Sequence, residues 1–172
     1  MLKVAITGNI AAGKSQVEKF ISERFPVYDA DKIAHDILGN IDRKALSAKI
    51  FADPKARKEL EEYIHPKVKA KILEIFKEPY EIVFISIPLL FETGFDEMFD
   101  KIIFVKTDDN IRLERLMKRN NFTKEEALLR MNAQLPQEEK ILKSDFVIDN
   151  NSDFNNLEEQ TSIVVRKLLS LI

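Results

Sequence analysis

The 172-residue chain carries 27 Lys and Arg against 29 Asp and Glu, and a net charge of −2 gives no global field to draw it onto nucleic acid or an anionic membrane. It has no cysteine, which excludes disulfides and thiolate metal sites, and no apolar run near the roughly 20 residues that span a bilayer. Its 45% hydrophobic content suits one soluble α/β domain with a full core, and a strand where a signal peptide would stand points to a cytoplasmic location.

Residues Leu2 to Thr7 form a continuous apolar run, the pattern of a buried parallel strand, and Ser15 to Glu23 form an amphipathic helix with Val17, Phe20 and Ile21 facing inward. Between them lies Gly8-Asn9-Ile10-Ala11-Ala12-Gly13-Lys14-Ser15, which fits G-x-x-x-x-G-K-[ST] in the strand, loop, helix context that this phosphate-binding loop requires. A loop that wraps a polyphosphate must turn several backbone N–H groups inward, a shape open to glycine without steric penalty; two of the chain's four glycines stand where it needs them. Lys14 brings a point charge to the β and γ phosphates, the Ser15 hydroxyl suits Mg²⁺, and the helix start offers its positive dipole end to the anion.

A short strand at Phe25-Pro26-Val27-Tyr28 follows, and Asp29-Ala30-Asp31 opens a helix with Ile33, Ala34, Ile37 and Leu38 on one face, ended by Gly39-Asn40. Asp29 suits a helix cap, whereas Asp31, at the edge of an α/β sheet where ligands collect, suits a carboxylate that accepts the proton of an attacking hydroxyl. Residues Ile41 to Lys77 are Lys-rich and Glu-rich with no strand signal, a helical insertion broken at Asp53-Pro54 and again at His65-Pro66. On the residues alone, His65 is the start of a helix fixed by Pro66 at its first position.

Ile82 to Ile87 and Lys101 to Thr107 are two further buried strands; Asp108 then caps a helix from Ile111 to about Arg119. Arg112, Arg115 and Arg119 share a face of that helix, and Arg130 pairs with Gln134 at i, i+4 on the next. These arginines suit either a solvated face or a lid that brings charge onto a transferring phosphoryl group. Phe146-Val147-Ile148 makes a last strand before an amphipathic C-terminal helix. Strands alternating with helices predict an α/β fold, a doubly wound parallel five-stranded sheet.

In this order the segments resemble the dephospho-CoA kinase family over nearly the whole length. The resembling pieces are Ile6 through Ser15, Asp29-Ala30-Asp31, Asp42-Arg43-Lys44-Ala45-Leu46, His65-Pro66-Lys67-Val68, Ile87-Pro88-Leu89-Leu90-Phe91-Glu92, then Arg119, Arg130 through Gln134, Lys140 and Asp145 to Asn150. Asn9 and Ala11 stand where the family usually has glycine, and Gln16 where it usually has Thr; the loop binds mainly through backbone N–H groups, so these changes are tolerable. The segment from Leu38 to Asp42 is shorter than the family's.

The resemblance implies transfer of the ATP γ-phosphoryl group to the ribose 3′-hydroxyl of dephospho-CoA, with Mg²⁺, by a P-loop kinase core at 1–39, 80–118 and 140–172, a helical CoA-binding subdomain at 40–79 and a lid at 119–139. It implies Asp31, Lys14, Arg119 and Arg130 as catalytic, and Gly8, Asn9, Ile10, Ala11, Ala12, Gly13, Lys14, Ser15, Gln16 and Asn150 as the ATP site, Ser15 meeting the metal. Asp31, Arg43, His65 and Leu89 fall on the acceptor side. Partners are the two small-molecule substrates, with no nucleic acid or membrane, and the chain is a monomer or weak homo-oligomer. The competing readings are a nucleoside monophosphate kinase with a different acceptor, and a nucleotide-dependent switch; the absence of an Asn-Lys-x-Asp sequence weighs against a guanine-reading switch.

Overall fold

The computed structural model describes residues 1–39 and 53–172. The chain divides into two compact units, Met1–Val27 with Pro79–Ile172, and Tyr28–Glu78.

β1 (Leu2–Thr7), β2 (Val27–Asp29), β3 (Ile82–Ser86), β4 (Lys101–Lys106) and β5 (Phe146–Asp149) build a five-stranded sheet of order β2-β3-β1-β4-β5. β1 pairs parallel with β3 from Leu2↔Ile82 to Ile6↔Ser86 and with β4 from Val4↔Lys101 to Thr7↔Phe104, and β4 pairs parallel with β5. The edge beside β3 is joined through the Phe84 N–H, which donates to the Pro26 carbonyl at 3.0 Å. Val4, Ala5, Ile6, Val83, Phe84 and Ile85 have no exposure, as expected of central strands covered on both faces.

Helix α1 (Lys14–Ser22) packs on the C-terminal helix α7 (Phe154–Leu169), with Val17, Ile21, Leu157 and Leu168 buried in the cluster that also holds Val4, Phe84 and Ile148. Between β4 and β5 lie α4 (Asp109–Asn120), α5 (Lys124–Asn132) and α6 (Gln137–Leu142). Thr123 and Glu126 close a capping box at the start of α5. Asp108 stands at the N-cap position of α4 but makes no side-chain cap; its Oδ1 accepts from Asn151 Nδ2 at 3.1 Å, across to the end of β5. At that edge the Gln160 carboxamide accepts the Asp149 N–H and donates to the Asp149 carbonyl, both at 2.9 Å.

In the smaller unit, α2 (Ala30–Leu38) is capped by Asp29, whose Oδ1 accepts from the Asp31 and Lys32 amides at 2.8 and 3.4 Å. α3 (Pro54–Ile75) is capped by Asp53, and α2 packs on it. The break expected at His65-Pro66 does not occur: α3 runs through Pro66. Pro66 removes the N–H that would reach the carbonyl of Glu62, but both residues are exposed, so water can satisfy that carbonyl. Ile64, Val68, Ile72 and Ile75 meanwhile bury one stripe across the proline. His65 therefore sits inside a helix, half-buried, and not at its start.

Candidate functional site

The loop between β1 and α1 stands at the C-terminal end of the central strand, where an open parallel sheet presents ligand sites. Gly13 caps α1 at φ 90, and a Cβ there would collide with Asn150 Nδ2. A Cβ on Gly8 would lie 2.6 Å from the Val105 carbonyl oxygen, so this end of the loop can rest on β4 only as glycine. Ala11 is left-handed at φ 63, and the Ala12 N–H closes a turn onto the Asn9 carbonyl at 3.0 Å. These backbone angles curl the loop so that the opening turn of α1, with Lys14 half-buried and Ser15 and Gln16 exposed, faces its hollow.

The loop is held by side chains distant in sequence. The Ala12 carbonyl accepts from Thr107 Oγ1 at 2.9 Å and from Asn150 Nδ2 at 2.8 Å, and all three residues are buried. Arg115 NH2 donates to the Asn150 carbonyl at 3.3 Å. Arg112, only 3% exposed, donates from NH1 to the Ile10 carbonyl at 3.2 Å and from NH2 to Asp109 at 2.7 Å. Asn9, 2% exposed, donates to the Leu135 carbonyl at 3.0 Å, and the Ile10 N–H donates to Gln134 Oε1 at 2.7 Å. Ile10 and Ala11 pack on Leu116, Ala127 and Met131 of α4 and α5.

Beside the loop, Ala11, Gly13, Arg115, Lys118 and Arg119 line an open depression of about 540 Å³. Three cations and a helix start around one hollow suit a polyphosphate ester. Arg119 is exposed and donates from Nε to Asn120 Oδ1 at 2.9 Å, while Arg130 on α5 lays its guanidinium over the Phe122 ring at 4.6 Å. Leu89 is half-buried in the turn after β3, where its carbonyl accepts from Thr93 Oγ1 at 2.8 Å.

In the smaller unit, Asp31 is exposed in the first turn of α2 and, with Asp29, Lys32, Ala34 and His35, borders a wide hollow of about 740 Å³. Arg43 lies outside the described residues. The structure thus gathers the residues expected around ATP in one unit and holds Asp31 and His65 in the other.

The motif does not contain Thr107, Arg112, Arg115, Lys118 or Gln137. Arg112 and Arg115 were visible as a shared helix face, but nothing in the local pattern marks Thr107, which acts from the end of a strand across 95 residues. No cluster of three His, Cys, Asp or Glu suited to a metal ion occurs among the described residues. The exposed Ser15 hydroxyl at the start of α1 is an oxygen of the kind a hard cation takes. No described helix is long and apolar enough to cross a membrane.

A sequence profile described as dephospho-CoA kinase matches residues 35–156. The dephospho-CoA kinase of Listeria monocytogenes is 36% identical, with 96% of each chain covered. Among solved structures, TT1252 from Thermus thermophilus superposes with a TM-score of 0.82 at 33% identity over 97% of each chain. The dephospho-CoA kinase of Campylobacter jejuni superposes at 0.73 with 32% identity over 96% of each.

Proposed function

The chain belongs to the dephospho-CoA kinase family, and from that premise we propose that it transfers the γ-phosphoryl group of ATP to the ribose 3′-hydroxyl of dephospho-CoA, the last step of coenzyme A synthesis. The observation that carries the donor half is the Ala12 carbonyl held by both Thr107 and Asn150, which fixes the curled loop next to Lys14 without help from a ligand.

In this reading the loop amides and the start of α1 bind the phosphates, and Lys14 neutralises charge that builds as the phosphoryl group moves. Ser15 would hold Mg²⁺, which when bound screens the phosphate charge and aligns the β and γ oxygens. Arg119 and Arg130 place planar forks against phosphate oxygens. The Asn150 amide is already committed to the loop, so it serves ATP by shaping the loop more than by touching the nucleotide.

Asp31 is the base. Asp29 accepts the Asp31 amide as the α2 cap, and the Asp31 side chain is exposed in the first turn of that helix. Phosphoryl transfer is loose in most analyses, so Asp31 orients the hydroxyl and takes its proton late. His65 and Leu89 serve the acceptor side, with the 40–79 segment as its binding subdomain and 119–139 as the lid.

An acceptor screen with ATP and Mg²⁺ tests the assignment. Turnover with dephospho-CoA well above that with nucleoside monophosphates, and above hydrolysis with no acceptor, is expected. Preference for a monophosphate would overturn it.

A further inference from the structure

The helix carrying Arg130 ends on the tip of the phosphate loop. α5 stops at Asn132 with Ala133 as its cap, and each of the next two residues is bonded to the loop: Gln134 Oε1 to the Ile10 amide, the Leu135 carbonyl to Asn9 Nδ2. Leu135 is then fixed from its other side, since its N–H donates to Glu92 Oε1 at 3.2 Å. That same oxygen lies 2.6 Å from Lys140 Nζ, a close ionic contact more than an aligned hydrogen bond, on a side chain only 1% exposed. A buried ammonium does not give up its counter-ion readily, so Glu92 is a firm post. Gln137, at the start of α6, adds bonds of 2.9 Å to the Thr107 carbonyl and to Asp109.

Residues 134–140 are thus anchored at the far end by buried polar groups and at the near end by the loop tip. Gln134 is half-buried, and its contact to the loop is one directional bond from an amide whose neighbours Ala11 and Ala12 already adopt a tight turn. Met131, one turn upstream, belongs to the buried cluster with Leu116 and Ala127 against which Ile10 packs, so loop tip and helix end share a packing cluster as well as hydrogen bonds.

We infer that Gln134 is a positioning residue for phosphoryl transfer: by holding the Ile10 amide, it sets the register between the loop tip and α5 and so fixes where Arg130 presents its fork. Arg130 is four residues upstream on the segment this bond terminates, its guanidinium over the Phe122 ring. Gln134 acts through that geometry and touches no substrate. The inference rests on the role proposed for Arg130.

The test is a double-mutant cycle of Gln134→Met, which keeps side-chain bulk and removes the acceptor, with Arg130→Lys, read as kcat and as KM for ATP. Hydrogen exchange at the Ile10 amide of the nucleotide-free protein reports the bond itself. A small misplacement of a charged fork costs about 10-fold in kcat or more, and KM for ATP should stay within about twofold because the phosphate contacts of the loop and α1 remain. Ile10 exchange should accelerate, the variant should melt with the wild type, and the double variant should be no slower than Arg130→Lys alone.

Losses that multiply, a rise in KM at constant kcat, or full turnover despite faster Ile10 exchange would each overturn the inference. If Arg130→Lys alone keeps full turnover, the role of Arg130 itself fails and the inference falls with it, a result separable from the others because it needs no change at Gln134.

Discussion

The two units hold their polar residues in different ways. Around the phosphate loop the bonds to Ala12, Ile10 and Asn9 come from Thr107, Asn150, Arg112, Gln134 and Leu135, spanning 95 to 138 residues of chain. In the helical unit, the bonds at Asp29, Asp53, Arg57 and Lys71 reach only two to four residues, and an apolar stripe along α3 supplies its burial. A long-range polar lattice keeps a loop in one shape before substrate arrives, which is what charge stabilisation needs. Among the described residues of the smaller unit, these local bonds fix helix ends and neighbouring turns.

If the contrast is functional, the sharpest break comes from the smaller unit. Asp31→Asn removes a proton acceptor and should cut turnover by about 10² to 10⁴ while ATP binding and the melting temperature stay near wild type. If Asp31 is only a favourable first-turn charge, the change costs about 0.3–1 kcal/mol and activity survives. Steady-state kinetics beside a thermal melt separates the two.

On the loop side, the role proposed for Lys14, charge placed where negative charge develops, implies that Lys14→Ala lowers turnover by a factor on the order of 10² or more while nucleotide still binds. Equal losses in binding and turnover, measured by titration and kinetics, would make Lys14 a ground-state ligand. A smaller effect is expected from Arg119→Lys, which keeps charge and loses the planar fork: about 10-fold in turnover with no loss of stability. Full activity would return Arg119 to the solvated surface.

Asp29→Ala tests the structural half of the comparison. It removes the cap of α2 and should cost about 1 kcal/mol, read by denaturant melts, with less effect on turnover than Asp31→Asn. The smallest effect belongs to the exposed Lys71 and Glu74 pair, where the hydrogen bond from Lys71 holds the Glu74 carboxyl below its ordinary value and the same bond raises Lys71. Whatever this pair adds is present at neutral pH. It fades as pH falls through the depressed Glu74 pKa, or rises through the raised Lys71 pKa. Because both groups are fully exposed, added salt should erase it; a salt-resistant loss in Glu74→Gln would contradict this.

The strands and the loop were legible because period and motif are local: Val4 to Ile6 and Ile82 to Ile85 are apolar without interruption, and both loop glycines stand where backbone approach demands them. The Asp29 cap was legible for the same reason. Pro66 misled, because a proline's lost bond is tolerated on an exposed helix face when the residues around it bury a stripe on the other side. Asp108 misled too, since its sequence suits a cap but Asn151, brought alongside by β5, takes the carboxylate. Thr107, Arg112 and Lys140 could not be read as buried, because a polar side chain shows its burial only through partners that the fold supplies from far away.

Gln160 at the open side of β5 has a consequence for how the molecule behaves in a crowded solution. A carboxamide carries the same donor and acceptor as a peptide unit, and here it meets both backbone groups of Asp149 as a neighbouring strand would. The last strand therefore ends its sheet with one of its own helices standing in for a sixth strand at that point. A foreign β-segment looking for unpaired N–H and C=O groups finds both backbone groups of Asp149 already satisfied, so self-association by strand addition is discouraged there.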